Sequence, residues 1–206
     1  MVGNYTVEHN GWVRGAVPVV SGVDVQDAAV ENLVVDGNAA RVPEINGCRG
    51  AGIYLLKARR CAVAGCTVRN FRGDGISFQV DRDVIIDRCT VERVTGLGLH
   101  PGTGSARPVV MKCTLRRNGL DGLFLCWRVQ DGVFEGCTIE GNGRYGVSIG
   151  HKDTDNLFRG NVVRGNALAG VHFRKEKRSN AGSRNRFEKN RIEGNCRRAP
   201  GAAVDI

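Results

Sequence analysis

Three of the four histidines of this 206-residue chain fall into one repeating pattern, with arginine, lysine and aromatic residues beside them. His100 and His172 each stand two residues after a glycine, as do Tyr54, Ser77, Phe124 and Ser148. Two residues further on come Leu56, Gln79, Gly102, Cys126, Gly150 and Arg174, and His151 follows the last of those glycines. Cations, imidazoles and rings grouped in this way suit a sugar polymer that carries carboxylates: arginine pairs with the carboxylate and rings stack on pyranose faces. β-Elimination on a uronic acid needs a cation over the carboxylate, a base for the C5 proton and an acid for the leaving oxygen. Arg174 or Arg128 could supply the first, Lys152, His172 or His100 the second, and His151 the third. Trp127, Gln79, Phe124, Ser148 and Asp153 are expected to line the binding surface, with Tyr54 as a further stacking ring. Hydrolysis needs two carboxylates flanking the bond, and the best partner for Asp153 is Asp155, which has another use below. The pattern therefore favours lyase or epimerase chemistry over hydrolysis. A non-catalytic glycan-binding or scaffold protein would show the same stripe.

What must position these residues is a repeat. The glycines that precede the stripe are Gly52, Gly75, Gly98, Gly122, Gly146 and Gly170, spaced 23 or 24 apart, and each opens a short alternating apolar run. A second run follows in each repeat: Cys66-Thr67-Val68, Cys89-Thr90-Val91, Cys113-Thr114-Leu115, Cys137-Thr138-Ile139, Asn161-Val162-Val163 and Asn190-Arg191-Ile192. Period-2 alternation denotes strands, and a unit this short must stack on its neighbours to bury its apolar face. The pattern predicts an all-β, right-handed, single-stranded parallel β-helix of about eight coils, with residues 1–206 as one domain. The high glycine content, 29 residues, and an aromatic share of 6% fit many turns and short strands. Longer connections are expected at 176–182 and 39–51.

Two charge columns fix the register. Anchored on the Cys/Asn position, one reads Asp36, Arg69, Glu92, Arg116, Glu140, Arg164, Glu193 and alternates at every step. The other reads Asp27, Arg60, Asp83, Arg107, Asp131, Asp155, Arg184 and fails only where Asp131 meets Asp155. Opposite charges on adjacent strands are favourable and like charges are not. These near-neutral columns cannot account for the net charge of +9. The surplus lies at the end of the first strand and in the turn after it. There Lys57, Arg59, Arg82, Arg128, Lys152, Arg174, Lys175, Lys177 and Arg178 face only Asp81, Asp153 and Glu176. Such a stripe points to an anionic partner. An acidic polysaccharide fits best, and nucleic acid ranks last because no familiar recognition motif accompanies the charge.

Four of the eight cysteines share one coil position, where Asn161 and Asn190 take over. That is how a row of small packed side chains behaves, and neither CxxC pairs nor zinc-type spacing occur. Asn118, Asn142, Asn166 and Asn195 mark a turn row of stacked amides. Cys126, beside Trp127, is the one cysteine outside this scheme with a position suited to function. No apolar run is long enough for a membrane helix, and Met1–Tyr5 does not read as a signal peptide. A cytoplasmic location is the default expectation, and a secreted one follows if upstream sequence has been removed. No helix caps the coil-like 1–13, and 201–206 reads as the first strand of another coil. Truncation or end-to-end association is therefore expected.

The repeats resemble the right-handed β-helix repeats of the pectate-lyase-like superfamily over roughly residues 16–206. Within them, Gly98-Leu99-His100-Pro101-Gly102-Thr103-Gly104-Ser105, Leu123–Arg128 and Ser148–Asn156 look like a bacterial subgroup without an established reaction. The resemblance implies carbohydrate chemistry, usually on acidic polysaccharides, along the outer face of one parallel sheet. It also implies that calcium could be bound by several aspartates. Here only Asp131, Asp153 and Asp155 could be assembled, and the columns already use the first and last, so no metal ligand is assigned.

Overall fold

The computed structural model describes residues 18–42, 50–198 and the backbone of 204–205. Three parallel sheets run the length of the stack. The first has eight strands: Val20–Val23, Ala51–Leu56, Asp74–Gln79, Leu99–Gly102, Leu123–Phe124, Val147–Ile149, Val171–Phe173 and Val204–Asp205. The second has seven, from Ala29–Glu31 through Ala62–Ala64, Ile85–Asp87, Val109–Met111, Val133–Glu135 and Leu157–Arg159 to Arg186–Glu188. The third also has seven, from Val34–Asp36 through Thr67–Arg69, Thr90–Glu92, Thr114–Arg116, Thr138–Glu140 and Val162–Arg164 to Arg191–Glu193.

The repeat pattern locates the first and third sheets but not the second. Each strand of the second sheet sends one side chain inward between two that are partly or fully exposed, a run too short to show alternation. Those inward residues are Val63, Ile86, Val110, Phe134 and Phe158, all buried, with Phe187 packed against them. At the C-terminal end the rings stack, with centroids 4.8 Å apart for Phe134–Phe158 and 4.5 Å for Phe158–Phe187. The third sheet contributes Val68, Val91, Leu115, Ile139 and Val163. The first contributes Ile53, Ile76, Leu99, Leu123 and Val147 to the same core.

Both charge columns stack as read. Asp36, Arg69, Glu92, Arg116, Glu140, Arg164 and Glu193 follow one another across the third sheet. Ion pairs join Arg69 to Asp36 at 2.9 Å, Arg116 to Glu92 at 2.7 Å and Arg164 to Glu140 at 2.8 Å. The other column sits in a turn rather than a strand, and all seven of its residues have φ between 50° and 60°. Its pairs are Arg60–Asp27, Arg107–Asp83 and Arg184–Asp155, at 2.6, 2.7 and 2.6 Å. A further pair in the second sheet, Arg159–Glu135 at 2.9 Å, escaped the sequence pattern.

The cysteine row is structural. Cys66, Cys89, Cys113 and Cys137 are buried, and each thiol donates to carbonyl oxygens such as those of Val30, Val63, Ile86 and Val110. Hydrogen bonding along the row, then burial, pushes the Cys113 thiol up to about 12. Asn161 and Asn190 continue the row: Asn161 Nδ2 donates to Asn190 Oδ1 at 3.0 Å, and Asn161 Oδ1 accepts from the Cys137 amide at 2.9 Å. Asn118, Asn142, Asn166 and Asn195 form the same ladder one turn on, with amide-to-amide bonds of 3.1, 2.9 and 2.9 Å. Asn156 and Asn185 begin a third.

The longer connection at 176–182 contains one 3-10 turn, Arg178–Asn180. Val204 and Asp205 pair with Val171 and His172, so the run at 201–206 does contain a first-sheet strand. The expectations for residues 1–13 and for most of 39–51 fall outside the described residues.

Candidate functional site

The outer face of the first sheet carries three rows. The strands Ala51–Leu56 and Asp74–Gln79 kink at the glycine: Ala51 pairs with Asp74 and then Ile53 with Ile76, and Ala51 packs with Tyr54 on the outer face. A Cβ on Gly75 would come within 2.1 Å of the core residue Val91, which explains why the kink needs glycine. The middle row is Tyr54, Ser77, His100, Phe124, Ser148, His172. The row beyond includes Leu56, Gln79, Gly102 and Cys126.

The face is not uniformly open. Tyr54, Leu56, Ser77, Gln79 and His100 are buried, whereas Phe124, Cys126, His172 and Arg174 are partly exposed. Gln79 spends its amide on Ser77 Oγ (3.1 Å) and the His100 carbonyl (3.2 Å), while its oxygen accepts from Thr103 at 2.8 Å. It is a scaffold residue, in contrast to the surface role expected for it.

Two cations organise the rest. Arg174 folds back over the sheet. Its Nη1 donates to Ser148 Oγ at 3.0 Å, its Nη2 to the Leu125 carbonyl at 2.6 Å and to Asp153 at 3.2 Å, and its Cζ lies 4.3 Å from the Phe124 ring centre. Gly150 makes room for this path, since a Cβ there would fall 2.5 Å from Arg174 Nε. Asp153 is fully buried and also accepts from the Val129 and Gly150 amides at 3.0 and 2.8 Å. Burial raises its carboxyl above the ordinary value against the pull of those amides and of Arg174. Asp153 thus anchors Arg174 and the turn. His100 is the second cation. Its Nδ1 lies 2.7 Å from Asp74 Oδ2, and its ring meets the Phe124 edge at 5.3 Å. Burial opposes its charge, but the bonds to Asp74 and then Cys126 outweigh that and push it up to about 9.

The remaining residues form two outlying groups. His172 stacks on Tyr145 with centroids 4.0 Å apart, and Arg144 lies over that ring, 5.5 Å from its centre, and 3.4 Å from Asp121. Asp121 is fully buried, accepts from the Tyr145 amide, and is raised by burial. At the turn, Trp127 is 53% exposed and packs on His151 at 5.2 Å, and His151 Nδ1 lies 3.5 Å from Glu176. Lys152 and Arg128 are exposed beside them. The structure therefore gathers His100, Phe124, Ser148, Asp153 and Arg174 at one place, with His172 on one flank and Trp127, Arg128, His151 and Lys152 on the other. Asp74, Asp121, Arg144 and Tyr145 were missed by the sequence pattern.

Among the described residues no three His, Cys, Asp or Glu side chains form a metal-holding group. Of the three aspartates that could have been assembled, Asp155 pairs with Arg184 and Asp153 with Arg174. Among the described residues no helix is long and apolar enough to cross a membrane. An open concavity of about 550 Å³ lies among Arg117, Glu140, Arg164, Glu193 and Arg197, on the third-sheet charge column and not at this site.

No curated protein matches the sequence. Among solved structures, the chain is similar to the periplasmic alginate epimerase AlgG T265N mutant, with 20% identity, a TM-score of 0.62 and coverage of 68% of this chain and 32% of that one. It is similar to the A-module of mannuronan C-5 epimerase AlgE4 from Azotobacter vinelandii, with 15% identity, a TM-score of 0.66 and coverage of 84% and 54%. It is also similar to the Dettilon tailspike protein gp208, with 17% identity, a TM-score of 0.54 and coverage of 85% and 41%. The chain thus spans between a third and about half of these proteins. A family model described as the right handed beta helix region matches residues 35–187. With three parallel sheets coiling through that span, the chain belongs to the right-handed β-helix family.

Proposed function

We propose that the chain binds an acidic polysaccharide along the outer face of the first sheet and acts on its uronic acid units by proton chemistry at C5, as a lyase or an epimerase. The observation that carries this reading is the position of Arg174. It is held by Ser148, Asp153 and the Leu125 carbonyl above the Phe124 ring, in the part of the face that is not closed over. Nε is not used in those bonds, which leaves a donor for a substrate carboxylate. A neutralised carboxylate makes the C5 proton removable. His172, partly exposed beside Tyr145 on the open part of the face, is the candidate base, while His100 is 95% buried. Trp127 would stack a neighbouring sugar ring, with Arg128 and Lys152 beside it. The epimerases among the similar structures support a uronate polymer as substrate.

A second reading, glycan binding without turnover, is favoured by the burial of His100 and by the neutralisation of Arg174 through Asp153. Incubation with a panel of polyuronates and neutral polysaccharides separates the two. New ultraviolet absorbance from unsaturated ends denotes a lyase, and C5 inversion by NMR an epimerase. Binding without either supports the second reading. Absence of binding across the panel, with Arg174→Ala and His172→Ala behaving as wild type, rejects both.

A further inference from the structure

Cys126 stands apart from the cysteine row. It lies on the outer face of the first sheet, is partly exposed, and pairs across the sheet with Gly102, which has no side chain to cover it. Asp74, His100 and Cys126 lie on one diagonal, each a coil further on and a step further along the strand. Asp74 accepts a hydrogen bond from Nδ1 of His100 at 2.7 Å and another from the Leu97 amide at 2.8 Å. Nε2, on the opposite edge of the ring, is buried and makes no hydrogen bond of good geometry. Cys126 stands one coil beyond His100 on the same outer face, two positions further along the strand, and beside Asp74 it is the other side chain that favours the charged imidazole. A buried nitrogen without a partner carries a cost that function commonly explains. A thiol, an imidazole and an orienting carboxylate in this order form the nucleophile, base and orienter of covalent catalysis. Arg174, over the adjoining Phe124 ring, places a cation on the same face.

We propose that Cys126 is an acyl-transfer nucleophile served by His100 and positioned through Asp74, and that its substrate is an O-acyl ester on the bound glycan. The identity of that substrate rests on the glycan-binding reading; the reactivity of the thiol does not. In the first step the Cys126 sulfur, its proton held by His100, attacks the ester carbonyl carbon. The tetrahedral intermediate collapses with cleavage of the acyl carbon–oxygen bond, and the sugar oxygen leaves with the His100 proton. Water then attacks the thioester while His100 takes its proton. The carbon–sulfur bond breaks, the carboxylic acid departs and the thiol is restored. Nothing is oxidised or reduced, and water is the one co-reactant. The buried cysteines of the row stand just before the third-sheet strands, away from this face, and cannot take this role.

The test uses p-nitrophenyl acetate, which needs no glycan. A burst of p-nitrophenol matching the protein concentration, with one acetyl group on Cys126 by mass spectrometry, is expected. Cys196, the other partly exposed cysteine among the described residues, serves as the internal reference. His100→Ala is expected to slow acylation by about 100-fold, with recovery on adding imidazole, which a purely structural role would not show. Asp74→Asn is expected to lower the His100 titration midpoint, read from its imidazole NMR signals. Acetylation of Cys126 no faster than Cys196, or a rate unchanged by His100→Ala in a folded protein, overturns the thiol assignment. Cys126→Ser, which keeps the side-chain size, should lose the burst while retaining the thermal transition. Acetate release from an acetylated polyuronate supports the substrate class. A Cys126-dependent burst together with no release from any acetylated glycan overturns that class alone.

Discussion

Asp81 and Asp153 occupy the same corner of the coil, and their surroundings differ in one instructive respect. Each uses one oxygen to accept an amide from the preceding coil, Ala58 for Asp81 and Val129 for Asp153 at 3.0 Å. The other oxygen of Asp81 is buried without a partner, and burial pushes its carboxyl up to about 7. The other oxygen of Asp153 takes the Gly150 amide and Arg174. Around Asp81 the outer face is closed by Tyr54, Leu56, Ser77 and Gln79; around Asp153 it opens onto Phe124, Cys126 and His172. One corner motif thus serves as pure scaffold in one place and as the base plate of a cation in the other. The difference is made by one arginine and by the glycine that lets it cross.

Four measurements sharpen or break this contrast. Tyr54→Ala, in the closed region, should cost about 3–5 kcal/mol by denaturant unfolding, as for other buried rings, and leave polyuronate affinity unchanged. A change in affinity of tenfold would erase the distinction between the two regions. Arg174→Ala should cost about 3 kcal/mol, because it leaves the carboxylate of Asp153 buried with amides alone, and should abolish retention on a polyuronate column. The third measurement is pH dependence. A carboxyl whose folded-state value is raised is stabilised in its protonated form, so its contribution to stability declines as pH rises from about 4 to about 7. Asp81→Asn should remove that slope and gain on the order of 2 kcal/mol at pH 8. Asp153→Asn should not stabilise, since it strips Arg174 of its counter-charge. Equal behaviour of the two variants would count against the comparison. Trp127→Ala should have the smallest effect: no measurable change in unfolding, with a several-fold loss of polyuronate affinity by calorimetry.

How far the sequence displays this follows from how each feature is written into it. Glycine before the first strand and Cys or Asn before the third recur at fixed spacing, so two sheets and their register could be read directly. The turn row from Asp27 to Arg184 was visible because charge alternates there even where hydropathy does not. The second sheet was hidden because its strands bury a single residue each, such as Val63 or Phe134. Within the site, position could be read but burial could not. Gln79 and Ser77 look like surface polar residues until the bond between them closes both. Asp74 was invisible as an outward residue, because the kink at Gly75 breaks the alternation that assigns faces. The reach of Arg174 back to Leu125 crosses 49 residues of sequence, which no repeat pattern encodes.

The alternating columns also confer a parity on the stack. Loss of the coil carrying Asp83 and Glu92 would set Arg69 against Arg116 in one column and Arg60 against Arg107 in the other, so both would report the same error. Loss of two successive coils from this stretch would restore opposite signs in both. A chain written this way can shorten or lengthen by pairs of coils with its electrostatics intact, while a slip of one is rejected twice. The expected consequence is that variants of this helix with an even number of coils removed from the alternating region are more stable than those with an odd number.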